Sequence, residues 1–370
     1  MEDREHFAWQ MGRPLGPVRV LRLTSGSFRD HDWLHPITVT GPIQGDAAIL
    51  YITGGTINQA DLDEAERLSR RSGLPVAMLF EIPNQPLFGR IEDDLIAFTF
   101  DQFLETGDST WPLLFPMVRA AVRAMDALEE AFQLKRFVLT GMSKRGWTTW
   151  LAGVSGDPRI CGIAPMVFDN LNFPSQMAHQ LASWGEYSEQ IADYTSRDLQ
   201  AQASSERGRE LVMMMDPFFS LPSLRCPVLT VSGSNDRYWT SDALRLYWHD
   251  IPTSKHCLMV PNAGHILGDK VQMIETVGEF AGTCSRNECL PSVNCMIWIE
   301  GSGIHFDARP EATLWIAESD GKDFRDCEWM SVPSGHQVRH SHCAAFPEFR
   351  FDGSEGGYSL SLPTQIFSFK

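Results

Sequence analysis

In the segment Phe137-Val138-Leu139-Thr140-Gly141-Met142-Ser143-Lys144-Arg145-Gly146-Trp147, a short apolar run ends at Gly141 and a segment compatible with a helix begins at Trp147. A single serine, Ser143, lies between the two, with glycines on either side. A strand, a sharp turn with serine at its apex and a following helix are together typical of a nucleophile elbow. Such a turn raises the hydroxyl above the sheet, and the helix N-terminus favours negative charge there. The segment therefore predicts a nucleophilic serine at the end of a strand.

This elbow departs from the usual Gly-x-Ser-x-Gly pattern at one position. Arg145 takes the place of the last glycine, and Gly146 follows it. Because Gly-x-Ser occurs by chance in many turns, the motif does not by itself establish a catalytic serine. The prediction depends on whether an acid and a base follow at suitable positions.

Two later segments supply an acid and a base, each shortly after a predicted strand. The apolar run 226–233 precedes Asp236, and the run 255–260 precedes His265. Serine, then aspartate, then histidine, each placed after a strand, is the chain order of the triad in α/β-hydrolases. We therefore predict that Ser143 attacks a carbonyl group, that His265 takes and returns the proton, and that Asp236 orients the imidazole.

Two alternatives to this triad remain open. Asp236 could only cap a helix that begins near Ser241, with His265 an ordinary loop histidine. Asp169, at the end of the predicted strand 160–168, could instead be the acid, because some α/β-hydrolases take it from that earlier strand. Chain order and the strand-end positions argue against the first alternative, and we keep Asp236 ahead of Asp169.

A set of further segments indicates a known family. The segments are Gly141-Met142-Ser143-Lys144-Arg145-Gly146-Trp147-Thr148-Thr149-Trp150, Ile82-Pro83-Asn84-Gln85-Pro86, Glu92-Asp93-Asp94-Leu95-Ile96-Ala97, Ala121-Val122-Arg123-Ala124-Met125-Asp126, Asp193-Tyr194-Thr195, Asp216-Pro217-Phe218 and Pro261-Asn262-Ala263-Gly264-His265. They resemble the PhoPQ-activated pathogenicity-related (PqaA-type) protein family. The likeness runs from about Asp46 to His265 and resumes at Leu314-Trp315 and Asp323-Phe324-Arg325. Arg145 matches that family's own elbow, and the resemblance implies an α/β-hydrolase with a Ser-Asp-His triad, without naming a substrate.

The order of predicted elements favours one large α/β domain followed by a small β domain. Strands and helices alternate as in a mostly parallel sheet with helices on both faces, including an amphipathic helix over 116–132. Residues 171–224 interrupt this alternation and are predicted to form a helical cap inserted in the α/β-hydrolase domain 1–282. Residues 283–370 contain short strands separated by turn residues, which is typical of a small β-sandwich-like domain.

The oxyanion hole is predicted from glycines that follow another strand. Gly54-Gly55-Thr56 ends the apolar run 47–53. An α/β-hydrolase builds half of its oxyanion hole there, and the other half is the N–H of the residue after the nucleophile. We therefore predict backbone donors at Gly55, Thr56 and Lys144, with a plain strand-ending turn as the alternative.

Substrate contacts are predicted from two regions. Asn84 and Gln85 follow a predicted strand, although proline-fixed turn geometry alone explains their loop equally well. The cap supplies aromatic side chains that can cover an apolar substrate or form the cap's own core, namely Trp184, Tyr187 and Phe218.

Two clusters contain potential metal ligands. The acidic run Glu92-Asp93-Asp94 has no histidine beside it, so we expect a solvated helix start there. His336, His340, His342 and Cys343 do not share one strand face, so no dependable ligand set follows. We predict neither a metal nor a cofactor.

Composition excludes several classes of partner. Hydrophobic and charged contents of 43% and 21% are ordinary for a globular protein. The net charge of −16 argues against nucleic acid and against anionic membrane surfaces. No stretch approaches the ~18–20 apolar residues of a membrane-spanning helix. The start has no apolar signal segment, which favours a cytoplasmic location unless a leader has been removed.

The sequence therefore predicts a serine hydrolase that cleaves a carboxylic ester or amide of a small-molecule or peptide-like substrate. An ester is favoured only because it is chemically easier to cleave. A peptidase with the same triad is one alternative, because the triad serves both reactions. A binding or signalling protein that keeps the fold without using its triad is the other. The oligomeric state stays open.

Overall fold

The chain forms one long mixed sheet with helices on both of its faces. The computed structural model describes residues 6–353 and 356–369. The strands up to the middle of the chain are β1 (Phe7–Met11), β2 (Arg19–Phe28), β3 (His31–Thr40), β4 (Ala47–Ile52), β5 (Val76–Leu79), β6 (Arg136–Met142), β7 (Ile160–Met166), β8 (Val228–Gly233) and β9 (Lys255–Val260). The later strands are β10 (Asn294–Glu300), β11 (Gly303–Arg309), β12 (Thr313–Ser319), β13 (Met330–Val332), β14 (His336–Gln337), β15 (His342–Gly353), β16 (Gly356–Ser361) and β17 (Gln365–Ser368). The helices are α1 (Gln59–Ser72), α2 (Glu92–Thr106), α3 (Leu114–Phe132), α4 (Lys144–Gly153), α5 (Phe173–Trp184), α6 (Ala192–Thr195), α7 (Leu199–Gln202), α8 (Glu206–Met215) and α9 (Val271–Ser285).

The centre of the sheet is parallel. Strands β5, β4, β6, β7, β8 and β9 are neighbours in this order, and each neighbouring pair is parallel. The hairpin of β2 and β3 joins the sheet beside β5 in antiparallel orientation. Because parallel strands end at the same edge of a sheet, the loops after β4, β6, β8 and β9 lie along one edge. The predicted α/β-hydrolase fold is confirmed.

Two apolar cores cover the two faces of this sheet. Strand β4 shows the division, because Ala48, Leu50 and Ile52 pack into one core, and the residues between them pack into the other. Helices α3 and α4 cover the first face, whereas α1 and α9 cover the second. A strand buried on both faces is apolar throughout, which is why β4 shows no polar alternation.

The cap predicted between β7 and β8 consists of α5 to α8 with short 3₁₀ turns. Hydrogen bonds tie it to the sheet domain at several points, including helices α4 and α2. Trp147 Nε1 on α4 donates to the Met215 carbonyl at 2.6 Å, and the Tyr194 hydroxyl donates to Asp93 Oδ1 on α2 at 2.9 Å. The cap is therefore held over the helix that follows the elbow.

The strands after α9 are antiparallel, as predicted, and form two sheets. Strands β16, β15, β12 and β13 extend the main sheet, because β16 pairs with β9 at Ser361 and Cys257. Strands β10, β11 and β14 form a second sheet, which shares a small core with the first through side chains such as Ile304 and Leu314. This segment is sandwich-like, and its larger sheet is continuous with the hydrolase sheet.

Two properties of the described residues concern the chain as a whole. No helix within 6–353 and 356–369 is both long and apolar enough to cross a membrane. The eight cysteines are all free.

Candidate active site

Ser143 lies in the turn between β6 and α4, in an elbow conformation. Its backbone has φ 58° and ψ −126°, which is rare for a residue with a side chain. The Ser143 N–H donates to the Met166 carbonyl of β7 at 2.9 Å, and the Ser143 carbonyl accepts from the Trp147 N–H at 3.0 Å. These bonds fix the turn, while Ser143 itself stays partly exposed.

The glycines of the elbow are required by close approach of the backbone. A Cβ on Gly146 would lie 2.7 Å from the Met166 carbonyl oxygen, and one on Gly141 would lie 2.9 Å from the Arg145 carbonyl oxygen. The Arg145 side chain leaves the turn across Gly54, where a Cβ would overlap the guanidinium. The departure from the usual pattern is therefore compatible with an elbow, because the tight contact falls on Gly146.

Asp236 and His265 meet at the same edge of the sheet, after β8 and β9. His265 Nδ1 donates to Asp236 Oδ2 at 2.8 Å, and Asp236 Oδ1 accepts from the Tyr238 N–H at 2.9 Å. Asp236 is only 5% exposed, so few waters compete for these bonds. With the proton on Nδ1, the Nε2 nitrogen keeps its lone pair and can act as a base.

The second ring nitrogen of His265 has no partner. Nε2 is buried and makes no hydrogen bond to any described residue. The Tyr238 ring stacks on the imidazole with centroids 4.1 Å apart and planes 28° apart. Tyr238 and Ser143 line the same cavity. An unpaired buried acceptor beside a cavity indicates a functional site, since burial without a partner costs about 1–3 kcal/mol.

Asp169, the alternative acid, is engaged elsewhere. Its Oδ1 accepts from the Tyr247 hydroxyl at 2.7 Å, and its side chain is buried. Burial raises the pKa of Asp169 to about 7. The imidazole of His265 bonds Asp236 instead.

The predicted oxyanion donors lie after neighbouring strands. Lys144 is the first residue of α4, so its N–H has no carbonyl one turn earlier in the helix. Gly55 and Thr56 follow β4, which pairs with β6 in parallel. Gly55 and Thr56 are exposed, and neither is among the residues that line the cavity beside Ser143. Lys144 lines the cavity beside Ser143.

The acidic run at the start of α2 is not the solvated helix start that the sequence suggests. Glu92 binds the guanidinium of Arg145 through both oxygens at 2.7 and 2.8 Å. Lys144 Nζ lies 2.7 Å from Glu92 and 2.9 Å from Asp93. Burial alone would raise the pKa of Glu92, but the hydrogen bonds and charges of Arg145 and Lys144 outweigh it and hold that pKa well below its usual range. The run anchors the two cations of the elbow.

A cavity of about 480 Å³ opens beside Ser143. Most of its wall is apolar or aromatic and comes from the cap. The wall residues that are neither apolar nor aromatic are Asp93, Ser143, Lys144, Asn170, Gln200 and Ser204. Sites for small molecules are usually apolar clefts of this size with few polar groups.

Asn84 and Gln85, two predicted substrate contacts, lie outside the cavity wall. Asn84 joins the β2–β3 hairpin, because its Oδ1 accepts from the Leu34 N–H at 2.7 Å and its Nδ2 donates to the Leu34 carbonyl at 2.9 Å. The Gln85 amide bonds both the backbone N–H and the carboxylate of Glu92. Both side chains are held by the protein itself, so these two predictions are corrected.

Of the aromatic residues predicted from the cap, only Tyr187 lines the cavity. Trp184 lies under the guanidinium of Arg325, 4.1 Å from ring centroid to Cζ. Phe218 packs edge-on against Phe219 with centroids 5.7 Å apart. Trp184 and Phe218 are therefore packing residues in this structure.

Sequence reasoning missed Tyr238 and Asn170, which both line the cavity. Asn170 Oδ1 is buried and has no partner among the described residues. The sequence contains a feature that could have indicated both residues. Each lies within two positions of a carboxylate at the end of a strand, Asp236 or Asp169.

The loops that carry Asp236 and His265 are also held from the C-terminal segment. Asn235 Nδ2, next to Asp236, donates to the Cys327 carbonyl at 2.7 Å. Asn262, three residues before His265, exchanges two hydrogen bonds of 2.8 Å with the Trp329 backbone. We call residues 323–329 the bridging segment, since it touches both loops.

Two of the histidines near the end of the chain are paired with carboxylates. His336 Nε2 lies 3.0 Å from Glu318, and His340 Nδ1 lies 3.1 Å from Asp320. Within the described part of the chain, no three His, Cys, Asp or Glu side chains are grouped to hold a metal ion.

The elbow, the parallel sheet and the cap define an α/β-hydrolase. Residues 11–325 match the family model of the PhoPQ-activated pathogenicity-related proteins, and the chain belongs to this family.

Among known proteins, this chain is similar in sequence to one relative and in fold to solved structures that include two esterases. Autocrine proliferation repressor protein A of Dictyostelium discoideum is 32% identical over 300 residues, which cover 74% of this chain and 60% of that protein. This chain therefore spans less than two thirds of that relative. Acetyl xylan esterases from Thermoanaerobacterium sp. and Paenibacillus sp. R4 have TM-scores of 0.54 and 0.51, each at 13% identity, over 70% of this chain and 83% of theirs. At that identity the likeness concerns the fold alone.

Proposed function

We propose that this protein is a serine hydrolase that cleaves a carboxylic ester, or an amide, through an acyl-enzyme on Ser143. One observation carries the proposal. The 2.8 Å bond between Asp236 and His265 leaves the imidazole Nε2 buried and without a partner among the described residues, and the Tyr238 ring that stacks on this imidazole lines the same cavity as Ser143. An elbow serine, a free imidazole nitrogen and an orienting carboxylate are the groups that acyl transfer needs.

In this mechanism Ser143 Oγ attacks the carbonyl carbon while His265 Nε2 takes the hydroxyl proton. The carbonyl electron pair moves to oxygen, and the N–H groups of Lys144 and of Gly55 or Thr56 donate hydrogen bonds to that oxyanion. The intermediate collapses and expels the alcohol or amine, which leaves with the proton from His265. A water molecule activated by the same nitrogen then hydrolyses the acyl-enzyme, releasing the acid and restoring the serine.

No hydrogen bond joins Ser143 to His265 in this structure, since His265 Nε2 has no partner among the described residues. Catalytic hydrogen bonds are often long before substrate binds and tighten in the complex. The stacked Tyr238 ring holds the imidazole plane in the meantime.

The test is acid quenching during turnover of a p-nitrophenyl ester, followed by intact-mass measurement. An acyl-enzyme predicts a species heavier by one acyl group, mapped to Ser143, and its loss in Ser143→Ala. Equal steady-state rates for wild type and Ser143→Ala would contradict the proposal. Comparing p-nitrophenyl esters with p-nitroanilides of the same acid separates an esterase from an amidase.

A binding or signalling role without catalysis is the second candidate, favoured by the name of the curated relative, which describes repression of proliferation. Such a protein would keep the elbow and the Asp236–His265 pair without an activated serine. A wild type as inert as Ser143→Ala towards esters and anilides would favour this second function.

A further inference from the structure

The cavity beside Ser143 has a wall suited to hydrocarbon. Cap side chains such as Met177, Leu181, Leu199 and Val212 supply most of it. Apolar walls of this kind exclude water and favour an apolar ligand in proportion to the area that it buries.

Three of the aromatic wall residues have their polar atoms bonded to the protein. Trp147 Nε1 donates to the Met215 carbonyl at 2.6 Å, and Trp239 Nε1 reaches the Val167 carbonyl at 3.4 Å. The Tyr194 hydroxyl donates to Asp93. Because these groups are already bonded, the rings present hydrocarbon to a ligand.

The charged groups in the wall are compensated by each other. Lys144 Nζ lies 2.9 Å from Asp93 and 2.7 Å from Glu92. Lys144 and Asp93 are 9% and 18% exposed. A charged substrate group would have to break this pairing, so the cavity favours a neutral chain.

The geometry points to a substrate with an uncharged aliphatic acyl chain of medium length, and we propose that the cavity is the acyl-chain site. This assignment rests on the proposed acyl-enzyme mechanism. A cavity of 150 Å³ takes one six-carbon benzene molecule, so at that packing a volume of about 480 Å³ holds roughly 18 carbon-sized atoms. We expect roughly eight to twelve of them to belong to the acyl chain, because the ester group and the leaving alcohol occupy the rest. Acetate esters would leave most of it unfilled.

The first measurement is kcat/KM for p-nitrophenyl esters from acetate to palmitate. Each buried methylene should raise kcat/KM by about fourfold until the cavity is filled. We expect a rise of at least about a hundredfold from acetate to the optimum and a fall by palmitate. If the protein hydrolyses esters but kcat/KM is flat or falls from acetate onward, the acyl-chain site is overturned. The proposed hydrolase function is then unaffected.

A matched pair of substitutions at the C-terminal end of α7 tests where the acyl chain binds. Ala203 lines the cavity, whereas Ala201 is exposed and outside its wall. Ala203→Leu adds three carbons to the wall, so the optimum should shift to shorter chains and the octanoate-to-acetate ratio should fall about tenfold. Ala201→Leu should keep the wild-type profile. Identical profiles for the two variants, both with wild-type melting temperatures, would overturn the assignment.

A binding measurement on a variant that cannot turn over tests the acyl-chain site separately from the proposed hydrolase function. Decanol added to Ser143→Ala should saturate a site and quench tryptophan fluorescence, because Trp147 and Trp239 line the cavity. Ala203→Leu in that background should weaken decanol binding at least about fivefold. No saturable binding would overturn the acyl-chain site even if acetate esters are cleaved. If wild type binds decanol but cleaves no ester, the proposed hydrolase function is contradicted. The proposal that the cavity binds the acyl chain of a substrate is then contradicted as well.

Discussion

At the scale of single residues, the Asp236–His265 pair is the centre of the proposed chemistry, and the position of each residue after a parallel strand explains why the sequence could suggest the pair. Chain order and strand-end position marked Ser143, Asp236 and His265, because parallel strands bring their ends to one edge. The spacing of residues in the sequence does not predict which way a side chain points at that edge. The sequence therefore predicts Asn84 as a substrate contact, although its side chain is hydrogen-bonded to the backbone of Leu34.

The choice between the two acids has a direct kinetic test. Asp236→Asn should lower kcat roughly 10²- to 10⁴-fold, because the imidazole loses the carboxylate that fixes its tautomer. Asp169→Asn should stay within about threefold of wild type, since its carbonyl can still accept from Tyr247 and it does not touch His265. Ester hydrolysis by the purified variants measures both. The reverse order of effects would make Asp169 the acid.

His35 gives a prediction for stability against pH. It is buried, with ring nitrogens 3.0 Å from the Ser25 hydroxyl and 3.2 Å from the Phe80 carbonyl. Burial lowers the pKa of His35 to about 4, below the unfolded value of about 6.5. Between these values the unfolded chain binds the proton and the folded chain does not, so stability falls as pH drops from 6.5 towards 4.

From pH 7 to pH 5 this histidine should cost wild type about 2 kcal/mol of unfolding free energy relative to His35→Asn, which does not titrate there. Urea denaturation of both proteins at the two pH values gives the difference. Equal losses in the two proteins would show that His35 is not held neutral by the fold.

At the scale of elements, the elbow and the start of α2 form one unit. Sequence reasoning predicted each element and missed their pairing, because Glu92 and Arg145 are far apart in the chain and the acidic run looked solvated. The side chains of Lys144 and Arg145 are 9% and 10% exposed, so their charges need the carboxylates of α2. The ion pairs thus stabilise the turn that presents Ser143.

Glu92→Gln tests this unit. It leaves two nearly buried cations with less compensation, and we expect a loss of about 2 kcal/mol in unfolding free energy together with a lower kcat. Glu66→Gln is the matched control, because Glu66 is exposed and its carboxylate lies 3.9 Å from Arg70. That control should change stability by less than about 0.5 kcal/mol. Denaturation curves in which both variants behave alike would contradict the role given to Glu92.

At the scale of the whole molecule, the C-terminal strands are part of the site's support. The sequence predicts that these strands are short and separated by turns. It does not predict where they lie, because β16 joins β9 through the pairing of Ser361 with Cys257, which no local sequence pattern indicates. The bridging segment then reaches the loop of the acid through Asn235 and the loop of the base through Asn262.

Asn262→Gly tests whether this support matters for catalysis. Asn262 has φ 56°, so glycine suits its backbone while removing both hydrogen bonds to Trp329. We expect kcat to fall about tenfold with little change in KM, because His265 is less well placed. Asn287→Gly is the control, since Asn287 has φ 57° and an exposed side chain. A wild-type kcat in Asn262→Gly would contradict a positioning role.

The central claim is that Ser143 is an activated nucleophile, and fluorophosphonate labelling of wild type, Ser143→Ala and His265→Ala tests it most directly. We expect one adduct per wild-type molecule, mapped to Ser143 by peptide mass. Ser143→Ala should carry none, and His265→Ala should label at a small fraction of the wild-type rate. Absence of labelling in correctly folded wild type, or equal labelling in all three proteins, would contradict the claim.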